Sequence, residues 1–580
     1  MSGIAGWFGT DNETTIHAML NAIDYRGDQS DTLVTPRFGM GVRFFGGRAA
    51  KSRGVWRRDN RAVVCAGTFT NETSDPSAHV DTLIREPQRL RAVDGAFAFA
   101  HATDRTLTLG RDPFGVRSLY IVKHRNNLYF ASELKQLLAI DDLPVVLDEA
   151  AIHKYLTFSF VPGEDVPIMG IKRLLAGHTL TYGDATLGDS KATRYFQLKE
   201  CIDSALGDPK VAARRVREHG EHAIKSRLYG EERVGLFLSG GLDSAAVGVW
   251  LKKAGANVHS FSLDFGEKGV EREEADLVAK TLGFAQSLVS ARGEDIVRIF
   301  DDVVHRLDLP FGDPVTGPQY LLGEAARAHG VTCVFNGEGG DQLFGGWTSK
   351  PMIAAELYGG LFEETDESRE EAYLRSYHRF YGLEDALYTS EFRARVGTPG
   401  QRRALLRPYL GDSQDYFLNR VRLADIALKG SQNILPRAER MGNGWGLDVR
   451  TPLFDRALAE LSFSLPPEMK LRGACEKWIL KRIMQSKLPE SLVWRRKFGM
   501  SVPVTDFVEG PLAALVRDHL SPEVLKRRGL FRPEYVAQLL DGKDSPGETR
   551  RRRVGEKVWT LLMLEAWLRR FVDTRGVRTR

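Results

Sequence analysis

The feature that most constrains the fold is a turn of small residues between an apolar run and a helical run. Val234-Gly-Leu-Phe-Leu238 leads into Ser239-Gly-Gly-Leu-Asp-Ser244, and Ala245-Ala-Val-Gly-Val-Trp-Leu251 follows. A helical pattern at about 209–229 precedes this unit, and a second apolar run, Val258-His-Ser-Phe-Ser-Leu263, comes after it. This alternation of strands and helices predicts a doubly wound parallel sheet.

The turn itself indicates an anion site. A small-residue turn that leaves a parallel strand and enters a helix presents free backbone N–H groups and a positive dipole end. Two glycines let the backbone approach a phosphate, the hydroxyls of Ser239 and Ser244 add donors, and Asp243 can hold a phosphate-bound metal. A plain Gly-Gly turn with an N-capping Asp or Ser remains the alternative when the loop is considered alone.

The length of 580 residues predicts two or three domains. Residues 1 to about 190 read as short alternating apolar segments, such as Arg61-Ala-Val-Val-Cys-Ala-Gly67 and Leu128-Tyr-Phe-Ala131, which is typical of strands. From about 345 onward the pattern is mostly helical. We therefore expect one domain over 1–190 and a second over 205–580.

Composition excludes several classes of protein. No apolar run approaches the roughly 18 residues of a spanning helix, and no secretory signal is visible, so we expect a cytoplasmic enzyme. The four cysteines include no C-x-x-C pair, which argues against a zinc site and against a disulfide framework. Net charge is only +5, and we read the arginines of 550–553 and of the 575–580 tail as solvated surface rather than a nucleic-acid contact.

The turn resembles a known family. Ser239-Gly-Gly-Leu-Asp-Ser244 is similar to the pyrophosphatase-type nucleotide loop of the asparagine synthetase superfamily. The resemblance covers nearly the whole chain and is most specific in residues 234–503. The other motifs of that superfamily are matched in order by Asn336-Gly-Glu-Gly-Gly-Asp341 with Gln342-Leu-Phe-Gly-Gly-Trp347, Arg440-Met441 with Gly446-Leu-Asp-Val-Arg450 and Pro452-Leu-Phe-Asp455, Glu476-Lys477-Trp-Ile-Leu-Lys481, and Arg495-Arg-Lys-Phe-Gly-Met-Ser-Val-Pro503.

The resemblance implies a PP-loop ATP pyrophosphatase fold that uses ATP and Mg²⁺ to activate a carboxylate as an acyl-adenylate. It implies that Glu338 takes a proton from the attacking amine and that Lys477 stabilises negative charge on the tetrahedral stage and on pyrophosphate. Taken singly, a Glu in a Gly-rich turn and a Lys on a helix are usually solvated. The implied ATP site consists of Ser239, Gly240, Gly241, Asp243, Ser244 and Gly337, and the implied metal ligands are Asp243 and Asp341.

Residues 1–190 resemble the glutaminase domain of class II amidotransferases, which implies an Ntn-like αββα sandwich. The family nucleophile is a Cys after the initiator Met, whereas this chain has Ser2, a far weaker nucleophile at neutral pH. The substrate-binding motifs are changed as well, to Arg26-Gly-Asp-Gln29 and Ala66-Gly67-Thr68, and the segment between Asn71 and Val93 is short. The scaffold sequences Arg43, Asp94-Gly95, Arg111-Asp-Pro-Phe-Gly115 and Phe130-Ala-Ser-Glu-Leu-Lys135 are kept. We expect a structural domain that supplies no ammonia.

Three functions remain open. The first is an amide ligase or a lactam or macrolactam cyclase whose amine has a source other than glutamine, such as a β-lactam synthetase or a lasso-peptide cyclase. The second is an asparagine synthetase that uses ammonia, and the third is a non-catalytic ATP-binding homologue, which the joint presence of Asp243, Glu338, Asp341 and Lys477 disfavours. Gln342, where many family members have Glu, and Gln286, near an expected His, favour a substrate other than aspartate.

We expect as partners a carboxylate and an amine, small or peptidic, with no nucleic acid and no membrane. A homodimer and a precursor peptide or biosynthetic partner protein stay open.

Overall fold

The computed structural model describes residues 2–46, 54–70, 76–183, 192–231, 233–266, 272–346, 369–377, 379–396, 400–411, 413–495, 502–542 and 548–575. The chain divides into two compact units that are interleaved along the sequence. Unit 1 is drawn from residues 1–146, 163–198 and 430–449, and unit 2 from 147–162, 199–429 and 450–580. This division differs from the predicted consecutive domains 1–190 and 205–580, because the segments 147–162 and 430–449 each join the other unit.

Unit 1 contains two six-stranded antiparallel sheets. The first has the order β10-β8-β9-β1-β3-β2 and the second the order β12-β11-β7-β6-β5-β4. The first sheet is formed by β1 (Ser2–Phe8), β2 (Gln29–Val34), β3 (Phe38–Phe44), β8 (Tyr120–His124), β9 (Asn127–Ala131) and β10 (Ile171–Arg173). The second is formed by β4 (Trp56–Arg58), β5 (Arg61–Phe69), β6 (Gly95–Thr103), β7 (Thr106–Arg111), β11 (His178–Gly183) and β12 (Ala192–Arg194).

Side-chain alternation on β6 shows how the layers pack. Ala98 and Ala100 join the apolar core between the sheets, whereas Phe97 and Phe99 point to the opposite face, where they pack with Val80 and other residues of the helical segment. Helix Glu13–Asn21 covers the first sheet. The remaining helices of unit 1 are Pro76–Arg85, Pro87–Leu90, Leu134–Leu138 and Leu435–Asn443. The predicted αββα sandwich is confirmed.

Unit 2 contains four parallel strands in the order β15-β14-β13-β16: β13 (Arg233–Phe237), β14 (Asn257–Asp264), β15 (Ala285–Ser290) and β16 (Cys333–Phe335). Helices Leu242–Lys253, Arg272–Leu282, Gly293–Leu307 and Thr316–Ala328 connect the strands, and Pro209–Leu228 precedes them. The predicted parallel sheet is confirmed. The chain leaves β13 toward β14 and returns on the other side to β16, so the strand order reverses between β13 and β16. Ligands of such sheets bind at this switch point, beyond the carboxyl ends of the strands.

The rest of unit 2 is mostly helical, as predicted. Its other helices are Glu149–Phe158, Gly340–Phe344, Arg369–Arg375, Glu384–Leu387, Ser390–Arg395, Gly400–Leu410, Phe417–Ala424, Arg456–Ser464, Pro467–Lys470, Trp478–Met484, Glu490–Val493, Val504–Glu509, Ala513–His519, Pro522–Arg528, Pro533–Leu540 and Glu548–Phe571. A π-helix, Asp425–Ile434, leads into unit 1, and a two-stranded hairpin pairs Leu471–Arg472 with Cys475–Glu476. Short 3-10 helices are Asp24–Arg26, Ser204–Gly207, Pro452–Phe454 and Asp573–Arg575, and Asp448–Arg450 is a short strand.

Among the described helices, none combines the length and the apolar character needed to cross a membrane. The arginines of 550–553 lie within Glu548–Phe571, and residues 576–580 of the basic tail lie outside the described residues.

Candidate active site

The loop that follows β13 forms one wall of the candidate site. The helix after it begins at Leu242 and has Gly241 as its N-cap, with no side-chain hydrogen bond to the cap. Gly240 has a φ of +76°, a left-handed conformation that glycine adopts without strain. The alternative of a plain Gly-Gly turn with an N-capping Asp or Ser is therefore wrong for this helix. The N-terminal N–H groups of a 12-residue helix remain directed at the switch point.

Two hydroxyls close the loop on itself. Ser239 Oγ lies 3.2 Å from Ser244 Oγ and accepts a hydrogen bond of 3.3 Å from the Gly241 N–H. Ser244 Oγ donates to the Gly241 carbonyl over 3.1 Å. These contacts within the turn fix its shape.

A second loop, after β16, approaches the first one closely. A Cβ on Gly337 would lie 2.5 Å from the backbone nitrogen of Ser244, and a Cβ on Gly340 would lie 2.2 Å from Asp243 Cγ. Neither distance is compatible with a side chain, so the two glycines are what allow the loops to meet. The geometry thereby brings Gly337 next to the other predicted ATP-binding residues.

Lys477 joins the carboxylates of the two loops. Its Nζ lies 2.5 Å from Asp243 Oδ2 and 2.6 Å from Asp341 Oδ1, and the residue is 2% exposed. Burial alone lowers the pKa of an ammonium, but the two carboxylates outweigh burial and raise the pKa of Lys477 above its ordinary value. The side chain is therefore charged at neutral pH.

The carboxylates fit a magnesium ion that is also held by phosphates. Asp243 Oδ1 is buried and has no hydrogen-bond partner among the residues that the structure describes. Within the same ranges no group of three or more His, Cys, Asp or Glu side chains could hold a metal. Magnesium commonly takes one or two carboxylates and completes its six ligands with phosphate and water oxygens. Asp243 and Asp341 match that pattern.

Glu338 lies between the two glycines of the second loop. Its Oε1 accepts a hydrogen bond of 3.1 Å from Gln319 Nε2, on helix Thr316–Ala328, and its backbone N–H donates to Asn336 Oδ1 over 3.2 Å. Sequence reasoning missed Gln319, and no local signal marks it, since it precedes Glu338 by a helix and a strand. The geometry brings the predicted Glu338 and Gln319 together in one contact.

Arg495 contacts the backbone of the first loop. Its Nη2 donates to the Gly240 carbonyl over 3.1 Å, and its Nη1 pairs with Glu274 Oε1 at 3.0 Å. Arg495 opens the fifth family-like motif, whose residues 496–501 lie outside the described residues, as does Trp347 of the second. The motif was matched from sequence, but its contact with the nucleotide loop was not foreseen.

The residues predicted to indicate an unusual substrate have local partners. The Gln342 backbone carbonyl accepts a 2.8 Å hydrogen bond from Arg422, and Gln286 Nε2 donates to Ser262 Oγ over 3.0 Å. The third motif is divided: Arg440 lies in unit 1, where it donates to the Tyr120 hydroxyl over 2.8 Å, whereas Arg450 lies in unit 2.

Ser2, at the start of β1 in unit 1, is 2% exposed. Its Oγ accepts a hydrogen bond of 3.3 Å from the Gly67 N–H. Arg26, from the altered Arg26-Gly-Asp-Gln29 stretch, is directed at the Ser2 carbonyl over 3.5 Å. Arg43 is turned to the backbone, with its Nε donating to the Gly27 carbonyl over 2.9 Å. Of the short segment 71–93, residues 71–75 lie outside the described residues.

Arg26 belongs to a buried ionic network. Glu439 receives Nη1 and Nη2 of Arg26 at 2.8 and 3.2 Å and Nη1 of Arg117 at 2.7 Å. Glu133 pairs with Arg26 and with Lys135, and Arg117 also lies 3.4 Å from Asp448. Sequence reasoning did not identify this network, since Glu439 is 413 residues from Arg26 and 322 residues from Arg117.

The fold and the site together define the class of ATP-dependent carbon–nitrogen ligases built on a nucleotide-binding parallel sheet. The chain belongs to the asparagine synthase family, whose model matches residues 215–569, more than half of the chain. A glutamine amidotransferase domain model matches residues 82–196.

Named relatives agree with this assignment. The chain is similar to "Asparagine synthetase [glutamine-hydrolyzing] 1" of Bacillus subtilis, with 25% identity over 82% of this chain and 77% of that protein. It is also similar to a putative glutamine-hydrolysing asparagine synthetase of Mycobacterium tuberculosis, with 25% identity over 84% of this chain and 78% of that protein. "Amidase chyE" of Penicillium rubens shares 23% identity over 75% of this chain and 73% of that protein.

Proposed function

We propose that this ligase joins a carboxylate to an amine whose source is not glutamine, as a biosynthetic amide ligase or as a lactam or macrolactam cyclase such as a lasso-peptide cyclase. One observation carries the proposal. The nucleotide loop, Asp243, Asp341 and charged Lys477 form an assembled site in unit 2, while the residue at the usual nucleophile position of unit 1 is a buried serine.

The synthetase chemistry follows from the residues of the site. The loop 239–244 offers backbone N–H groups and two hydroxyls to the triphosphate of ATP. A magnesium ion held by Asp243 and Asp341 would neutralise phosphate charge. The substrate carboxylate attacks the α-phosphate, pyrophosphate leaves, and an acyl-adenylate forms.

The second half of the reaction forms the amide. Glu338 accepts a proton from the incoming ammonium, which becomes nucleophilic only after that loss. The amine attacks the acyl carbon and AMP leaves. The Lys477 ammonium offsets negative charge on the tetrahedral stage and on pyrophosphate.

The nitrogen source is argued from Ser2. A serine hydroxyl is a much weaker nucleophile than a cysteine thiolate at neutral pH, and here the hydroxyl is buried and hydrogen-bonded to Gly67. The family Glu position after Gly67 is Thr68, so the substrate contacts are altered as well. The amine therefore comes from free solution or from the substrate itself.

An asparagine synthetase that uses ammonia is the second candidate, because two relatives are named glutamine-hydrolysing asparagine synthetases and this chain has Ser2 at the position of the nucleophile. A non-catalytic homologue is disfavoured, because drift would be expected to break the contacts among Asp243, Asp341 and Lys477. We also propose a cytoplasmic location and small-molecule or peptide substrates. The four cysteines are thiols rather than disulfides, which supports a reducing compartment.

The test is pyrophosphate release from ATP by the purified protein with magnesium. The panel contains aspartate with ammonium, aspartate with glutamine, and amino-acid or peptide substrates that carry their own amine, with Asp243→Ala as the inactive control. Release only with amine-bearing substrates supports the proposal. Release with aspartate and ammonium alone establishes the second candidate, turnover with glutamine as the sole nitrogen donor refutes the inactive glutaminase, and silence across the panel favours the non-catalytic homologue.

A further inference from the structure

We propose that Lys477 is an exchangeable counter-ion that keeps the metal site closed until nucleotide arrives. Without ATP its ammonium takes the position between the two carboxylates, and bound phosphates draw it away and leave the carboxylates to the metal. The inference rests on the proposed function, since it takes Asp243 and Asp341 as the residues that hold magnesium.

The geometry places the ammonium where a bridging cation would lie. Lys477 Nζ contacts one oxygen from each loop, at 2.5 Å from Asp243 Oδ2 and 2.6 Å from Asp341 Oδ1. A magnesium ion shared by the same two oxygens would stand at about 2.0–2.1 Å from each. The two cations cannot occupy that space together.

Charge and burial make the exclusion strong. Lysine carries a positive charge at neutral pH, and the buried Lys477 ammonium contacts both carboxylates, so it offsets one of their two negative charges. A divalent ion added beside it would put three positive charges against two negative ones.

The backbone holds Lys477 for this role. Its φ is +52°, a left-handed conformation that is uncommon for a residue other than glycine and that clusters at functional sites. The hairpin strand Cys475–Glu476 precedes it and helix Trp478–Met484 follows it. Because Lys477 lies between a paired strand and a helix, exchange needs only a movement of its side chain. The triphosphate provides the acceptor oxygens for the displaced ammonium.

The test measures Mn²⁺ binding in the absence of nucleotide. The electron paramagnetic resonance signal of the free ion reports how much Mn²⁺ is bound. Manganese prefers the same oxygen ligands as magnesium. The variants are Lys477→Met and Lys477→Gln, which remove the charge, and Lys477→Arg, which keeps it. Lys481→Met is the matched control, because Lys481 is a buried lysine of the following helix that pairs with Glu476 at 3.6 Å.

We expect each neutral Lys477 variant that folds, as judged by circular dichroism, to bind one Mn²⁺ at least tenfold more tightly than the wild type. Lys477→Arg and Lys481→Met should behave like the wild type, and adding Asp243→Asn to Lys477→Met should abolish the gain. Equal Mn²⁺ affinity in wild type and neutral variants would overturn the proposal. The assay involves no turnover, so pyrophosphate release by the wild type tests the proposed function separately.

Discussion

At the scale of single residues, the site depends on contacts between side chains that are far apart in sequence. Asp243, Asp341 and Lys477 lie at the N-terminal ends of three helices of unit 2 and meet within hydrogen-bonding distance. Each residue type was predictable from its motif. The direct pairing of the lysine with both carboxylates was not, because a spacing of 234 residues leaves no periodic signal.

Gln319 is a positioning residue for Glu338 in this account. Replacing it with Leu removes the 3.1 Å hydrogen bond to the Glu338 carboxylate. A hydrogen bond to a charged group contributes about 1.5–3 kcal/mol, so we expect kcat/KM for the amine to fall by roughly tenfold or more. The KM for ATP should stay the same, because Gln319 does not contact the nucleotide loop through this bond.

Steady-state kinetics with varied amine gives kcat/KM for the amine, and kinetics with varied ATP gives the KM for ATP. Arg327→Gln, an exposed change on the same helix, is the control and should leave both parameters unaltered. An unchanged kcat/KM for the amine in Gln319→Leu would remove Gln319 from the mechanism.

At the scale of elements, helix Leu435–Asn443 completes unit 1 by inserting Glu439 between Arg26 and Arg117. All three side chains are buried. Breaking a buried ion pair from one side leaves an uncompensated charge and costs about 3–5 kcal/mol. We expect Glu439→Gln to lower the free energy of unfolding of unit 1 by that amount.

Hydrogen exchange of the amides in β1 and β3 measures this change within unit 1 alone. Glu460→Gln is the control, since Glu460 forms an exposed i,i+4 pair with Arg456 whose loss costs less than about 1 kcal/mol. Equal protection of β1 and β3 in Glu439→Gln and wild type would show that the network adds no stability.

The same network predicts a pH dependence. Burial favours a raised pKa for the Glu439 carboxyl, but Arg26 and Arg117 outweigh burial and hold its pKa below the ordinary value. The pKa of Glu133 is lowered in the same way, against its burial, by Arg26 and Lys135. A carboxyl whose folded pKa lies below its unfolded value of about 4.3 stabilises the fold above that pH, and the stabilisation is lost as pH falls further.

Unit 1 should therefore lose stability between about pH 4 and pH 2, and Glu439→Gln should show a smaller loss over that range. Urea unfolding of unit 1, monitored by hydrogen exchange at several pH values, measures this loss of stability. A variant with the same pH dependence as the wild type would contradict the role given to Glu439.

The sequence predicted those helices and strands whose residue pattern lies within a single segment. The predicted helix at about 209–229 is Pro209–Leu228, and the strand predicted at 234–238 is Arg233–Phe237. The next helix begins at Leu242, three residues before the helical run Ala245–Leu251, and its N-cap is Gly241. The π-helix Asp425–Ile434 and the transfer of 430–449 to unit 1 depend on long-range packing, which no single segment encodes.

At the scale of the whole molecule, the two units are interleaved rather than consecutive. Residues 147–162 belong to unit 2, and residues 163–198 belong to unit 1. Residues 199–429 belong to unit 2, and residues 430–449 belong to unit 1 again. An N-terminal fragment that matches the predicted domain 1–190 consequently lacks residues 430–449 of unit 1.

A truncated protein that ends at Leu198 should fail to fold, because Arg26 and Arg117 would lose Glu439. Joining residues 430–449 to its end through a flexible linker should recover folding at least in part. The dispersion of amide signals in a two-dimensional NMR spectrum distinguishes the two proteins. A native-like spectrum for the fragment that ends at Leu198 would show that unit 1 does not need the helix.

The central claim is that the protein forms an amide through an acyl-adenylate without glutamine. The most direct test uses ³¹P NMR to identify the phosphorus products while the wild-type protein consumes ATP with an amine-bearing carboxylate substrate and no glutamine. We expect AMP and pyrophosphate in equal amounts from the wild type and neither product from Asp243→Ala. ADP with orthophosphate, or AMP formation only when glutamine is supplied as the nitrogen donor, would contradict it.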